Sequence, residues 1–194
     1  MKRLNLAVIL NGPPGCGKDT IANELVKYGF HHQKMKDYLY KLTADHFCVS
    51  YEVFIELVTN RRTKDVKSIL LRSNDESYSP REALIYTSEV LTKPYEGKDF
   101  FGKCTADQCA ADGSKYAVIS DGGFAEEVLP FYKYYHNVLL IRLYRKGFNF
   151  NGDSRTYIRG FTPAVSMHII EDDLQGTMDL VFKAMDTIST KSLL

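Results

Sequence analysis

Apolar residues near the start of the chain form a strand pattern followed by a helix pattern. Leu4–Leu10 is a short apolar run without a polar face, which is typical of a central strand in a parallel sheet covered on both sides. After Lys18, apolar residues recur at helical spacing until Gly29, which is a suitable helix C-cap. These residues are Ile21, Ala22, Leu25 and Val26. The pattern predicts a strand, a loop and a helix.

Helical spacing dominates the middle of the chain. Serine, proline and glutamate at Ser79-Pro80-Arg81-Glu82 form a capping box with proline at the first helical position, so a helix is expected from there to about Leu91. Apolar spacing predicts further helices over residues 37–47, 51–58 and 100–111. We expect a helical insertion over approximately residues 37–112 that binds an acceptor substrate.

Strand and helix patterns alternate again after residue 115. The predicted strands are Tyr116–Ile119, Val138–Leu143 and, more weakly, Met167–Ile170, and the predicted helices are Ala125–Tyr135 and Leu174–Ile188. This alternation predicts a single α/β domain over residues 1–194, with a short parallel sheet flanked by helices. Ligands in such sheets bind at the carboxyl ends of the strands.

Composition excludes several classes of partner. The 194 residues carry a net charge of +1, so we expect neither an extended nucleic-acid partner nor an anionic membrane surface. The first apolar run leads into prolines and glycines rather than a signal-peptide cleavage site, and no stretch approaches the ~18 residues that span a bilayer. The four cysteines match no zinc or redox spacing. We expect no membrane partner and a reducing, cytoplasmic location.

A phosphate-binding loop follows the first predicted strand. Gly12 and Gly17 are separated by four residues and followed by Lys18. Glycines let backbone N–H groups converge on phosphate oxygens, and lysine reaches the β- and γ-phosphates. The predicted ATP-binding residues are Gly12, Gly15, Cys16, Gly17, Lys18, Asp19 and Thr20.

The end of this loop points to a kinase. Asp19 stands where Ser or Thr commonly follows the lysine, and Thr20 comes one residue later. This Gly-Pro-Pro-Gly-x-Gly-Lys-x-Thr form resembles the loop of adenylate kinase and related nucleoside monophosphate kinases. The chain has no Asn-Lys-x-Asp segment that would read guanine, which argues against a switch GTPase.

Further segments resemble phage-encoded deoxynucleoside monophosphate kinases in the same order along the chain. The Gly-Lys-Asp-Thr loop, the helix at Ser79–Leu84, the segment Asp99–Phe101 and the strand end Ile119–Asp121 all look like parts of that family. The resemblance implies a three-layer P-loop kinase fold, ATP and Mg²⁺ as cofactors, and a deoxynucleoside monophosphate as acceptor. It also suggests a homodimer and, for a phage-encoded protein, the host cytoplasm.

Two carboxylates are predicted at the metal site. Asp121 follows an apolar strand and either orients Mg²⁺ or caps the next turn. Asp19 is either a second metal-linked carboxylate or an acidic residue favoured in the first turn of a helix.

Cations should surround the transferred phosphoryl group. Lys18 is predicted to neutralise the γ-phosphate, and Arg145 and Arg155 lie in a lid-like segment at approximately residues 145–160. These two arginines either contact phosphate or are solvated. Arg81 is predicted to bind the acceptor phosphate, with Arg61 as a weaker candidate.

Aromatic residues supply candidates for stacking on the acceptor base. Tyr38 and Phe124 are either stacking residues or core residues, because the chain has 13 Tyr and 11 Phe. The five histidines show no ligand spacing and are assigned no chemistry.

The leading hypothesis is ATP-dependent phosphorylation of a deoxynucleoside monophosphate to the diphosphate. The alternatives are a P-loop kinase for another small acceptor or a polynucleotide end, and a nucleotide-dependent switch module.

Overall fold

The computed structural model describes residues 3–73 and 75–189. The strands are β1 (Leu4–Asn11), β2 (His31–Gln33), β3 (Ser68–Ser73), β4 (Glu76–Tyr78), β5 (Tyr116–Ile119), β6 (Tyr135–Tyr144) and β7 (Ala164–His168). The helices are α1 (Lys18–Val26), α2 (Lys36–His46), α3 (Tyr51–Thr59), α4 (Pro80–Tyr86), α5 (Lys93–Glu96), α6 (Phe100–Ala111), α7 (Ala125–Val128) and α8 (Leu174–Ser189).

Five strands form a parallel sheet in the order β2-β5-β1-β6-β7. Every neighbouring pair runs parallel, with β1 between β5 and β6. The chain leaves β1 toward β5 and β2 on one side, and later returns to β6 and β7 on the other. The carboxyl end of β1 is therefore at the topological switch point, where ligands of open α/β sheets bind.

Helices cover both faces of this sheet. Val8 and Leu10 of β1 pack with α1 and α8 in one buried cluster. The alternate residues Ala7 and Ile9 point to the opposite face and are also fully buried. On α6, Gly102 lies so close to the backbone of Glu127 in α7 that a Cβ atom would collide with it. The α/β prediction is confirmed, and the arrangement is compatible with the three layers of a P-loop kinase.

The chain divides into two compact units. The first contains the described residues up to Lys34 and from Gly102 onward, and the second is Met35–Phe101. The predicted insertion extended to residue 112, but nearly all of α6 belongs to the first unit. The second unit also contains an antiparallel hairpin, β3 with β4, that the helical pattern did not predict. Its core includes Phe54, Leu71 and Ala83.

The predicted capping box at Ser79 is confirmed. Its hydroxyl accepts a hydrogen bond from the Glu82 N–H, and the Glu82 carboxylate accepts one from the Ser79 N–H. The helix does not end near Leu91, because a π-helical turn at Thr87–Thr92 joins α4 to α5. Pro94 in α5 cannot donate a backbone hydrogen bond, and a wider turn before it accommodates that loss.

Two predicted boundaries in the second half are wrong. The helix expected over Ala125–Tyr135 is one α-helical turn followed by a 3₁₀ helix at Leu129–Lys133, since Pro130 lies there and Tyr135 already pairs with Leu4 of β1. Strand β7 ends at His168 rather than at Ile170. In the part of the chain that the structure describes, no helix has the length and apolar character needed to cross a bilayer.

Candidate active site

Backbone geometry explains the glycines of the predicted phosphate loop. Gly15 and Gly17 have φ angles of +76° and +104°, which side chains disfavour. Gly12 is confined by its neighbours, since a Cβ atom there would lie 2.7 Å from Cys16 Sγ and 2.9 Å from the Leu143 carbonyl oxygen. Helix α1 begins at the next residue after Gly17. The loop therefore turns sharply from β1 into a helix N-terminus, whose free N–H groups favour an anion.

Lys18 is folded into this loop. Its ammonium group donates hydrogen bonds of 2.7 Å to the carbonyl oxygens of both Gly12 and Pro13. Burial lowers the pKa of Lys18, the charge of Arg155 lowers it further, and Asp19 and Asp121 oppose the shift. The two hydrogen bonds hold the Lys18 ammonium group against the loop.

Asp19 belongs to a polar network at the ends of β2 and β5. Its Oδ1 accepts a hydrogen bond from Ser120 Oγ at 2.8 Å and lies 3.0 Å from Lys34 Nζ. His32 Nε2 lies 2.8 Å from the same Ser120 hydroxyl, and its Nδ1 lies 3.2 Å from Asn23 Oδ1. The network fixes the direction of the Asp19 carboxylate.

His32, Lys34 and Ser120 were not identified from the sequence. The hypothesis that the histidines carry no chemistry is incomplete, because β2 places His32 beside Ser120. Strand β2 has three residues and no buried apolar run, so no periodicity revealed it. The only available signal was the position of Ser120 directly before Asp121.

Asp121 lies two residues beyond β5, as predicted. Its charge raises the pKa of both Lys18 and Arg155, which places the carboxylate within electrostatic reach of both cations. The described residues contain no group of three or more His, Cys, Asp or Glu side chains that could hold a metal ion. Magnesium is commonly held by one or two carboxylates together with substrate phosphates, and a metal role for Asp121 and Asp19 stays a prediction.

Arg155 is held in place by a short-range ion pair. Its Nε and one terminal nitrogen donate to the two carboxylate oxygens of Asp153 at 2.8 and 2.6 Å. This hydrogen bonding is the main cause that raises the pKa of Arg155. Its stem passes over Gly123, where a Cβ atom would lie 2.7 Å from Arg155 Cγ. The arginine predicted to contact phosphate is therefore fixed beside the strand end that carries Asp121.

Arg145 lies in the wall of a cavity next to the loop. The cavity has a volume of about 260 Å³ and is lined by Gly17 and Thr20 together with apolar Ile169 and Leu174. The Arg145 guanidinium carbon is 4.9 Å from the centroid of the Phe148 ring. Its Nε is buried and, among the described residues, has no hydrogen-bond partner. Asp172, Asp173 and Thr177 also line the cavity, so its wall combines apolar side chains with charged and polar ones.

A second, larger cavity of about 590 Å³ lies beyond Asp121. Phe124, Phe150 and Tyr157 provide aromatic lining, Arg159 adds a positive charge, and Glu126 adds a negative one. The sequence proposed Phe124 as a stacking residue, and the structure places it at this cavity. Phe150 and Tyr157 were not singled out from the sequence.

The other predicted acceptor residues lie in the second unit. Arg81 Nε donates to Asp65 Oδ1 at 2.6 Å, and that bond lowers the pKa of Asp65. Arg61 is exposed. The ring centroid of Tyr38 is 5.7 Å from Lys41 Nζ. The structure thus gives Arg81 a carboxylate partner, while the acceptor role of all three residues stays a prediction.

Comparison with known proteins gives no family assignment. The chain matches no protein-family profile, and it matches no curated protein.

Proposed function

We propose that the protein is a kinase that transfers the γ-phosphoryl group of ATP to a deoxynucleoside monophosphate. The observation that carries this proposal is the phosphate loop, with Lys18 bonded at 2.7 Å to its carbonyl oxygens and the 260 Å³ cavity on one side. The deoxynucleotide acceptor rests on the resemblance in sequence. Arg155 and the 590 Å³ cavity supply a place for an anionic acceptor with an aromatic base.

The donor nucleotide fits the loop and the smaller cavity together. Its phosphates would accept hydrogen bonds from the loop backbone and from Lys18, because helix N-termini and glycine-rich turns favour anions. Its base would occupy the cavity lined by Ile169 and Leu174. The Arg145 guanidinium group, which lines this cavity, would lie beside the base. Arg145 is thereby proposed to hold the donor base, which replaces its predicted role at the transferred phosphoryl group.

The acceptor nucleotide fits the larger cavity. Phe124, Phe150 and Tyr157 offer faces for base stacking, and Arg159 offers a charge for the phosphate. Arg81, Arg61 and Tyr38, which lie in the second unit, remain proposed acceptor-binding residues.

Transfer requires no general base from the protein. An ionised oxygen of the acceptor phosphate attacks the γ-phosphorus, the bond between that phosphorus and the β–γ bridging oxygen breaks, and ADP leaves. Lys18 and Arg155 stabilise the negative charge on the transferred group and the bridging oxygen. Asp121 and Asp19 would hold Mg²⁺, which supplies further charge neutralisation when bound.

The test is a phosphoryl-transfer assay with the purified protein, MgATP and each canonical deoxynucleoside monophosphate in turn. Phosphorus NMR follows the reaction. It should show equal amounts of deoxynucleoside diphosphate and ADP being formed. Lys18→Ala should reduce turnover by at least ~100-fold, since it removes a cation that acts on the transferred group. Lys27→Ala is the matched control on the same segment, because Lys27 pairs with Glu24 at the surface.

Three outcomes would contradict the proposal. The absence of any diphosphate product with all nucleotides would exclude this kinase reaction. ADP release that is independent of the acceptor would favour the switch module, and full activity of Lys18→Ala would show that the loop assignment is wrong.

A further inference from the structure

Asn11 is the last residue of β1 and its side chain is fully buried. Its Nδ2 donates hydrogen bonds to the carbonyl oxygens of Gly122 at 3.0 Å and Thr156 at 3.1 Å. Its Oδ1 accepts a hydrogen bond of 2.9 Å from the Ile158 N–H. One side-chain amide therefore joins the end of β1 to two other segments, one at Gly122 and one at residues 156–158. Both lie more than 100 positions from Asn11 in sequence, and they are about 30 positions from each other.

Each segment that Asn11 joins carries a residue of the proposed site. Asn11 itself directly precedes Gly12, the first glycine of the phosphate loop. The Gly122 carbonyl belongs to the residue after Asp121, and the Thr156 carbonyl to the residue after Arg155. The amide thus sets the distance between the loop, the carboxylate and the arginine through their backbones.

Asparagine has the donors and acceptor that this position needs. Two carbonyl oxygens require two N–H donors, and one backbone N–H requires an acceptor, which is the inventory of a primary amide. Aspartate would place acceptors against carbonyl oxygens, and leucine would leave three buried backbone groups unpaired. Because the partners are backbone groups of fixed polarity, they also determine which way the Asn11 amide points.

The segment that carries Arg155 has additional ties on its other side. Arg142 Nε donates to the Ile158 carbonyl at 2.6 Å, and the Tyr157 hydroxyl donates to the Leu143 carbonyl at 3.0 Å. Asp153 holds the Arg155 guanidinium itself. Residues 155–158 are therefore attached to the sheet, although the sequence had suggested a lid over approximately 145–160.

We propose that Asn11 is a positioning residue of the phosphoryl-transfer site, which presets Arg155 relative to the phosphate loop before substrates bind. The inference rests on the proposed kinase function. Arg155 is the residue through which Asn11 acts on the rate, since a displacement of ~1 Å in a reacting group can reduce turnover by ~100-fold.

The experiment is a double-mutant cycle between Asn11→Ser and Arg155→Ala. Asn11→Ser should lower kcat by ~10- to 100-fold while the KM for ATP changes less than about twofold, because the loop itself is kept. The double variant should have the kcat of Arg155→Ala alone, because misplacement of Arg155 cannot lower the rate once its side chain is absent. If the losses in kcat of the two single variants multiply in the double variant, the proposal is overturned.

Hydrogen exchange provides a readout that needs no activity. Exchange of the Ile158 amide should accelerate in Asn11→Ser, because this amide loses its acceptor, whereas amides inside β1 should be unaffected. Unchanged Ile158 exchange would show that Asn11 does not hold the segment that carries Ile158. Asn5→Ala is the matched control in the same strand. Within the described residues, the Asn5 side chain donates its hydrogen bond to the exposed Tyr116 hydroxyl.

The two proposals can fail separately. Absence of turnover in the wild-type protein would reject the kinase reaction. The exchange measurement would still show whether Asn11 holds the Ile158 amide. If Asn11→Ser does not fold, Asn11→Gln keeps the primary amide but displaces it by one methylene group. That variant should also lower kcat and accelerate Ile158 exchange, and a wild-type kcat would overturn the proposal.

Discussion

Replacing Gly12 by alanine tests whether the loop geometry is what binds phosphate. The added methyl carbon would lie 2.9 Å from the Leu143 carbonyl oxygen and 2.7 Å from Cys16 Sγ. Favourable carbon contacts occur at about 3.5–4.0 Å, so both contacts are too short by roughly half an ångström or more. Leu143 is a fully buried residue inside β6 and cannot retreat, so the loop must move instead.

The expected effects follow from that displacement. Overpacking of this kind costs about 1–3 kcal/mol of folding stability. A loop shifted by about half an ångström also misaligns the backbone N–H groups that would donate to phosphate, and each hydrogen bond to a charged group contributes ~1.5–3 kcal/mol. Loss of one such bond weakens ATP binding by ~10- to 100-fold.

Calorimetric titration with ATP and urea unfolding measure the two effects. Gly29→Ala is the matched control, because Gly29 has a φ angle of +87° and no described atom within 4 Å of an added Cβ. It should lose ~1–2 kcal/mol of stability through backbone strain and bind ATP normally. Adding Cys16→Ala to the Gly12 variant should restore part of the affinity, since only the Leu143 contact remains. Wild-type ATP affinity in Gly12→Ala would refute the phosphate-loop assignment.

Three further predictions concern stability and thiol chemistry. Phe54→Ala should cost about 3–5 kcal/mol in urea unfolding of the second unit, because Phe54 is fully buried in its core; a loss below ~1 kcal/mol would contradict that packing. Hydrogen bonding from the Ser79 N–H lowers the pKa of Glu82 below its usual 4.5, so its contribution to stability is present above pH 4.5 and disappears as the pH falls through the lower, folded-state pKa. Glu82→Gln should therefore flatten the acid side of the stability curve measured by urea unfolding, and an unchanged slope would argue against the capping box. Burial raises the pKa of Cys109 to about 11, so iodoacetamide at pH 8 should modify exposed Cys48 first, as mass spectrometry of the peptides can show.

Local patterns were sufficient for the elements with a strong apolar run or a helix cap. The predicted bounds of β5 and α6 agree with the structure, and Ser79 caps α4 as expected. Strand β2 was missed because its three residues are strand only through pairing with β5. The hairpin of β3 and β4 was missed for a similar reason, since it pairs irregularly and leaves much of its surface exposed.

In the candidate site, too, local sequence predicted some features and only the fold explains the others. Gly15 and Gly17 could be predicted because their positive φ angles are a local demand of the turn, and Lys18 follows them at a fixed spacing. Arg155 was predicted as a cation in a loop, but its ion pair with Asp153 and its position over Gly123 depend on how the segment folds back.

The sequence by itself determined β1, the glycine-rich turn after it and the start of α1, because each depends on residues within a few positions. Tertiary structure alone decided which distant groups meet there. Asn11 reads as one polar residue at a strand end, and its role appears only when Gly122, Thr156 and Ile158 surround it. The physical reason is that a buried amide must satisfy its hydrogen bonds, and the partners that do so are chosen by the fold rather than by sequence neighbours.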